Sequence, residues 1–167
     1  MNRILVLGAG FVARPLVRYL LDTPETELTV ASRTLSRAEN LLGGHPEGIA
    51  KALDVGNVKA LRQTMSEADI VISLLPWVHH VSVAKLCLEL GKHLVTTSYV
   101  RPEMAALDHA AKQKGLLFLN EIGVDPGGGP LDQPQGPDRA SREAQLADRK
   151  IQSRALGRGA VVGLGRD

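Results

Sequence analysis

The stretch RILVLGAGFVA, residues 3–13, decides how the rest of the chain is read. Ile4, Leu5, Val6 and Leu7 are consecutive apolar residues with no polar side chain between them. That pattern predicts a strand covered on both faces, as in a parallel sheet. Gly8, Gly10 and Ala13 then follow in G-x-G-x-x-A spacing. In such a turn Gly8 makes the tight bend, Gly10 lets the backbone approach a pyrophosphate, and Ala13 lets a helix pack close to the strand. The helix N-terminus supplies free N–H groups and a dipole that favour an anion. The alternative is a glycine-rich turn that binds nothing, and the neighbouring elements have to decide.

Working outward, strand-length apolar runs alternate with helical spacing. Strands are predicted over 3–8, 27–32, 49–55, 69–75, 93–98 and 116–123, with 69–75 (DIVISLL) the clearest. A helix over 11–21 places Val12, Leu16, Tyr19 and Leu20 on one face, with a mild bend expected at Pro15. Further helices are predicted over 35–42, from an Asn57 cap to about 66, over 78–90 with Val81, Ala84 and Leu88 inward, and over 102–114. Gly91 and Gly115 are the expected stops, and Pro102 suits a first turn. Six strands alternating with five helices imply an α/β fold: a Rossmann-type doubly wound parallel six-stranded sheet with helices on both faces. The segment 1–126 forms this domain. The segment 127–167 holds eight glycines and three prolines and no strand pattern of useful length, so a disordered or loosely packed tail is expected.

Composition narrows the function. The chain has 167 residues, enough for one domain with a sizeable core. It contains no apolar run of 18 residues, so no transmembrane helix is expected. No charged segment precedes ILVLGAG, so no signal peptide is expected either. A net charge of +2 gives no argument for nucleic acid, and the surplus falls after residue 126. The single cysteine, Cys87, excludes an internal disulfide and points to a reducing, cytoplasmic setting. No metal site is expected, because His79 and His80 have no Cys or Asp at ligand spacing and read as surface residues.

The candidate ligand contacts lie where the strands end. An NAD-specific site wants Asp or Glu after the second strand, for the ribose 2′-hydroxyl. This chain has Ser32, Arg33 and Thr34 there. An acidic side chain would repel a 2′-phosphate, whereas Arg33 can pair with it, so NADP(H) is the expected cofactor. A solvated loop arginine is the bland alternative. Asp54 and Val55 close the third strand and Leu75 the fourth. Trp77 either shields a cleft or caps the sheet. TTSY (96–99) and VDPG (124–127) end strands five and six at the edge where such sheets bind ligands. Asp125 either orients an amine or shuttles a proton, or else is a turn aspartate before Pro126.

Together GAGFVARPL, VASRT, LDV, VISLLPW, KHLVTTSYV and NEIGVDPG resemble, in order and spacing, the nucleotide-binding domain of the saccharopine dehydrogenase family over residues 3–127. The resemblance implies NADP(H)-dependent hydride transfer at the C–N bond joining glutamate and 2-aminoadipate 6-semialdehyde, in lysine metabolism. It implies that Gly8, Gly10, Phe11 and Val12 hold the pyrophosphate, and that Ser32, Arg33 and Thr34 hold the 2′-phosphate. Asp54, Val55, Leu75, Thr97, Ser98, Val124 and Pro126 would line the remaining cofactor site. Ser98, Tyr99 and Asp125 would face a small amino-acid substrate, with Tyr99 and Asp125 handling protons. After Gly127 the family pattern stops, and GGPLDQPQGPDRASREAQ is expected to mark a truncation or a shifted reading frame. The competing readings are a cofactor-binding portion with little turnover, a stand-alone dinucleotide-sensing module, and a product left unstable by exposed apolar surface.

Overall fold

The computed structural model describes residues 2–122 and 161–162. β1 (Asn2–Leu7), β2 (Thr26–Ser32), β3 (Gly48–Ala52), β4 (Ile70–Ser73), β5 (His93–Thr96), β6 (Phe118–Leu119) and β7 (Val161–Val162) form one sheet in the order β3-β2-β1-β4-β5-β6-β7. Every neighbouring pair is parallel. The helices are α1 (Ala13–Leu21), α2 (Leu35–Leu42), α3 (Val58–Ser66), α4 (His80–Leu90), α5 (Pro102–Ala105) and α6 (Asp108–Gln113), with a 3₁₀ turn at Trp77–His79. Strand order reverses between β1 and β4, which opens a crevice at the carboxyl edge above them.

The unbroken apolar run of β1 is accounted for by two cores. Ile4 and Val6 pack with Leu28, Val30 and Ile72 against α1 and α2, through Ala13, Val17, Leu20, Ala38 and Leu41. Leu5 and Leu7 point the other way. They pack with Val71, Leu94 and Phe118 against α3 and α4, through Leu61, Met65, Val83, Ala84 and Cys87. Each fully buried Leu, Val or Phe contributes roughly 1.5–3 kcal/mol, so β1 anchors both layers.

Several expected boundaries shift, each for a local reason. α1 begins at Ala13, so Pro15 is its third residue. An N–H there has no intrahelical acceptor in any case, and the expected bend has no cause. Its buried face is Ala13, Val17 and Leu20, while Val12 and Tyr19 are exposed. α4 likewise turns in Val83, Ala84, Leu86 and Cys87 together with His80, and Val81 and Leu88 lie at the margins. β3 stops at Ala52 because Asp54 folds the chain into a turn, its Oδ1 accepting the Gly56 N–H at 2.9 Å. The helix expected over 102–114 is two helices. The Leu107 N–H reaches only the Met104 carbonyl at 3.0 Å, a tightened i→i+3 bond between α5 and α6.

Two expected devices are present. Asn57 Oδ1 accepts the Ala60 N–H at 3.1 Å and caps α3. Gly91 closes α4 in the left-handed region at φ 67°. The seventh strand was not legible: Val161–Val162 pairs with Phe118–Leu119, and two residues are too few to show a period. Apart from Val161–Val162, the tail expected to be disordered or loosely packed lies outside the described residues.

At the amino edge of the sheet, Leu117 donates its N–H to His93 Nδ1 at 3.0 Å. Cys87 is fully buried, and the apolar surroundings push its thiol pKa up to about 12. The folded chain is therefore expected to resist thiol labelling at pH 8, with stoichiometric labelling appearing only as urea unfolds it. Rapid labelling of the native chain, followed by mass spectrometry, would contradict this packing.

Candidate functional site at the carboxyl edge

β1 leaves the sheet through Gly8, whose N–H is held by the Ala31 carbonyl at 2.9 Å. Gly8 has φ 110°, and a Cβ there would meet the Leu74 carbonyl oxygen at 3.1 Å. Both strain and space therefore require glycine. At Gly10 the opposite holds: a Cβ would find no atom of the described residues within 4 Å, so the backbone there is open. α1 begins immediately after, with no side-chain cap at Val12 and no acidic residue in its first turn. Phe11 and Val12 stand 104% and 72% exposed beside this turn, while Ala13 is buried against the sheet. The open backbone at Gly10, together with an uncapped N-terminus, fits a bound phosphate group.

The end of β2 lies next to it. Ser32 Oγ accepts the Thr34 N–H at 3.3 Å and shapes the loop. Arg33 and Thr34 are exposed, and among the described residues the Arg33 side chain has no ion-pair or hydrogen-bond partner. Further along, Asp54 is committed to its turn and Val55 packs partly into the core. These residues fit the adenosine half of a dinucleotide carrying a 2′-phosphate.

The second half of the edge is built differently. Ser73 and Thr96 are cross-strand partners, so their side chains share the sheet face that α4 covers. His80, the first residue of α4, is 3% exposed over them. Its Nε2 lies 2.8 Å from the Leu75 carbonyl, and its Nδ1 lies 2.6 Å from Thr96 Oγ1. A carbonyl can only accept, so Nε2 carries the proton and Nδ1 accepts the Thr96 hydroxyl. Thr96 Oγ1 in turn accepts the Ser98 N–H at 3.2 Å. The Thr96 carbonyl takes the Ile122 N–H and the Ser98 carbonyl takes the Glu121 N–H, both at 3.2 Å. Glu121, at φ 60°, accepts the Val100 N–H at 2.9 Å. The ends of β4, β5 and β6 are thus bound into one unit.

Of the sequence-predicted residues, Leu75, Thr97, Ser98 and Tyr99 come together at this edge, with Thr97 exposed and Tyr99 61% exposed. Val124, Asp125 and Pro126 lie outside the described residues. Trp77 is exposed with the Arg101 guanidinium 3.8 Å above its ring, so it neither caps the sheet nor is free of neighbours. The reading of His80 as a surface residue is wrong. The 3₁₀ turn at Trp77–His79 rotates it inward, and no local pattern of apolar residues signals that rotation. Among the described residues no cluster of three His, Cys, Asp or Glu side chains could hold a metal.

Residues 4–119 match the family model described as the saccharopine dehydrogenase NADP binding domain. The chain belongs to this family. It is 50% identical over 127 residues to saccharopine dehydrogenase [NADP(+), L-glutamate-forming] of Schizosaccharomyces pombe, covering 76% of this chain and 28% of that one. The apo saccharopine dehydrogenase of Saccharomyces cerevisiae superimposes with a TM-score of 0.69 at 35% identity, covering 76% of this chain and 28% of that one. A 3-ketoreductase from Actinomadura kijaniata, solved with TDP-benzene and NADP, gives a TM-score of 0.59 at 25% identity, covering 90% and 44%. The chain therefore spans little more than a quarter of the length of these saccharopine dehydrogenases.

Burial holds the pKa of His80 below its ordinary 6.5, and the neighbouring His79 adds to this while the Leu75 hydrogen bond opposes it. Burial likewise lowers His93, opposed by Asp69. The folded chain therefore holds protons on these rings less readily than the unfolded chain, which takes them up below about pH 6.5. Their contribution to stability is complete above pH 6.5 and is lost as pH falls through the lower, folded values. Urea midpoints are expected to drop between pH 7 and 5. His93→Asn, which keeps an acceptor for Leu117 but cannot protonate there, is expected to flatten that drop. An unchanged slope would show that His93 titrates alike in both states.

Proposed function

We propose that the chain is the NADP(H)-binding portion of a saccharopine dehydrogenase-like oxidoreductase of lysine metabolism, acting in the cytoplasm. The observation that carries this is the conjunction at one edge of the Gly8–Gly10 turn, the start of α1 without a side-chain cap, and an Arg33 that has no partner among the described residues, where an acidic residue would select NAD. Gly8, Gly10, Phe11 and Val12 take the pyrophosphate, and Ser32, Arg33 and Thr34 take the 2′-phosphate. Val55, Leu75, Thr97 and Ser98 line the path of the cofactor, joined by Asp54 through its turn and by Val124 and Pro126. Among the described residues no helix is long and apolar enough to cross a membrane.

The bound cofactor supplies or accepts the hydride. The chain's own residues orient the partners and exclude water. Ser98 and Tyr99 face the amino-acid substrate, in which the bond broken or formed joins glutamate nitrogen to the semialdehyde carbon. Asp125 and Tyr99 hold the proton that accompanies the hydride.

Calorimetric titration with NADPH and NADH tests this reading. NADPH is expected to bind clearly and NADH much more weakly. Arg33→Ala is expected to weaken NADPH by about tenfold or more, the scale of a charge-assisted pair, while leaving NADH nearly unchanged. A folded chain that binds neither nucleotide sinks the proposal. Turnover of saccharopine with NADP⁺ distinguishes a catalytic chain from one that binds without chemistry.

A further inference from the structure

The cofactor reading assigns nothing to His80, yet among the described residues it is the most deeply enclosed ionisable side chain at the carboxyl edge. It sits beneath the two strand ends that the second half of a dinucleotide would cross. Its bonds have a single consistent direction. The Ser98 N–H donates to Thr96 Oγ1, the Thr96 hydroxyl donates to His80 Nδ1, and His80 Nε2–H donates to the Leu75 carbonyl. The donors and acceptors of a neutral imidazole are thereby fully used. No atom of the ring is left to meet a ligand, so His80 acts through Leu75 and Ser98 and not on the reacting atoms.

We propose that His80 is a positioning residue for the nicotinamide half of the cofactor site: through Leu75 and the Thr96 hydroxyl it fixes the spacing of the β4 and β5 ends. This rests on the cofactor reading above. The first three strands and the second three form separate mononucleotide-binding halves of such a sheet. The Gly8 turn and the loop that carries Arg33 belong to the first half, where the Gly8 N–H bonds to the Ala31 carbonyl and the Thr34 N–H to Ser32 Oγ, without passing through His80. β4 and β5 belong to the second, and there the main chain departs from ladder bonding. The Leu75 carbonyl and the Ser98 N–H are both taken by side chains. Loss of His80 leaves the Leu75 carbonyl and the Thr96 hydroxyl without their partners below the surface, and the two ends can drift apart. Binding energy should then fall only for ligands that reach them.

The experiment is calorimetry on the full chain with two probes, NADPH and 2′-phosphoadenosine 5′-diphosphoribose, which lacks the nicotinamide. His80→Leu is expected to weaken NADPH about tenfold while changing the shorter probe by no more than about twofold. His80→Gln, whose amide can donate to Leu75 and accept from Thr96, is expected to recover most of the NADPH affinity. A change in stability alone would move both probes together or neither. If His80→Leu does not fold, Thr96→Val carries the same expectation, since it removes the hydroxyl and keeps the shape. Equal losses for both probes, or no loss for NADPH, overturn the positioning role. A wild-type chain that binds neither probe overturns the cofactor reading first, and this proposal falls with it.

Discussion

The conformation of Gly8 is the constraint on which the rest of the structure depends. β1 is buried on both faces and lies between β2 and β4, so the chain can leave it only at its carboxyl end. There the Leu74 carbonyl stands 3.1 Å from where a Cβ would be, and φ is 110°. A glycine resolves both demands at once. The turn it permits drops Ala13 onto the sheet and starts α1 directly above the crevice between β1 and β4. Core packing and the anion-ready helix start are consequences of the same residue.

The two halves of the edge rely on different materials. On the β1–β2 side the site is backbone and open space: Gly10 without neighbours, an uncapped helix, and an arginine with no partner among the described residues. On the β4–β5 side it is built from buried polar side chains, where His80 and Thr96 take the place of ladder bonds. A polar group enclosed in this way is costly unless it is paired, and His80 and Thr96 are paired throughout. Beside them Ser73 Oγ and Asn120 Nδ2 are buried without a partner among the described residues. Enclosed polarity therefore concentrates at the carboxyl ends of β4, β5 and β6.

Much of this was legible along the chain. The run Ile4–Leu7 announced a strand covered on both sides, and the spacing of Gly8, Gly10 and Ala13 announced the turn and the helix. Arg33 at the end of β2 was chemically informative because the alternative residue types have opposite charge. Asn57 and Gly91 were readable as caps because capping is a local interaction. The misreadings share a different cause. Tyr19 and Val12 fit a helical stripe, but the stripe that faces the sheet is the one set by where α1 begins, two residues later than periodicity suggests. His80 looked like a surface residue because a pair of histidines has no periodic meaning. Its burial follows from a 3₁₀ turn and from Thr96, sixteen residues away.

The sequence by itself determined the class of fold, the alternation of the first six strands with helices, the glycine turn and the sign of charge at the end of β2. Each of these is a property of neighbouring residues: backbone freedom, apolar period or the charge of one side chain. Tertiary structure alone decided which helix faces are buried, where β3 and the helix after Pro102 break, that Val161–Val162 adds to the sheet beyond β6, and that His80 joins the ends of β4 and β5. Those outcomes depend on contacts between residues far apart in the chain. Such contacts come into being only when the sheet has assembled and fixed which side chains face one another.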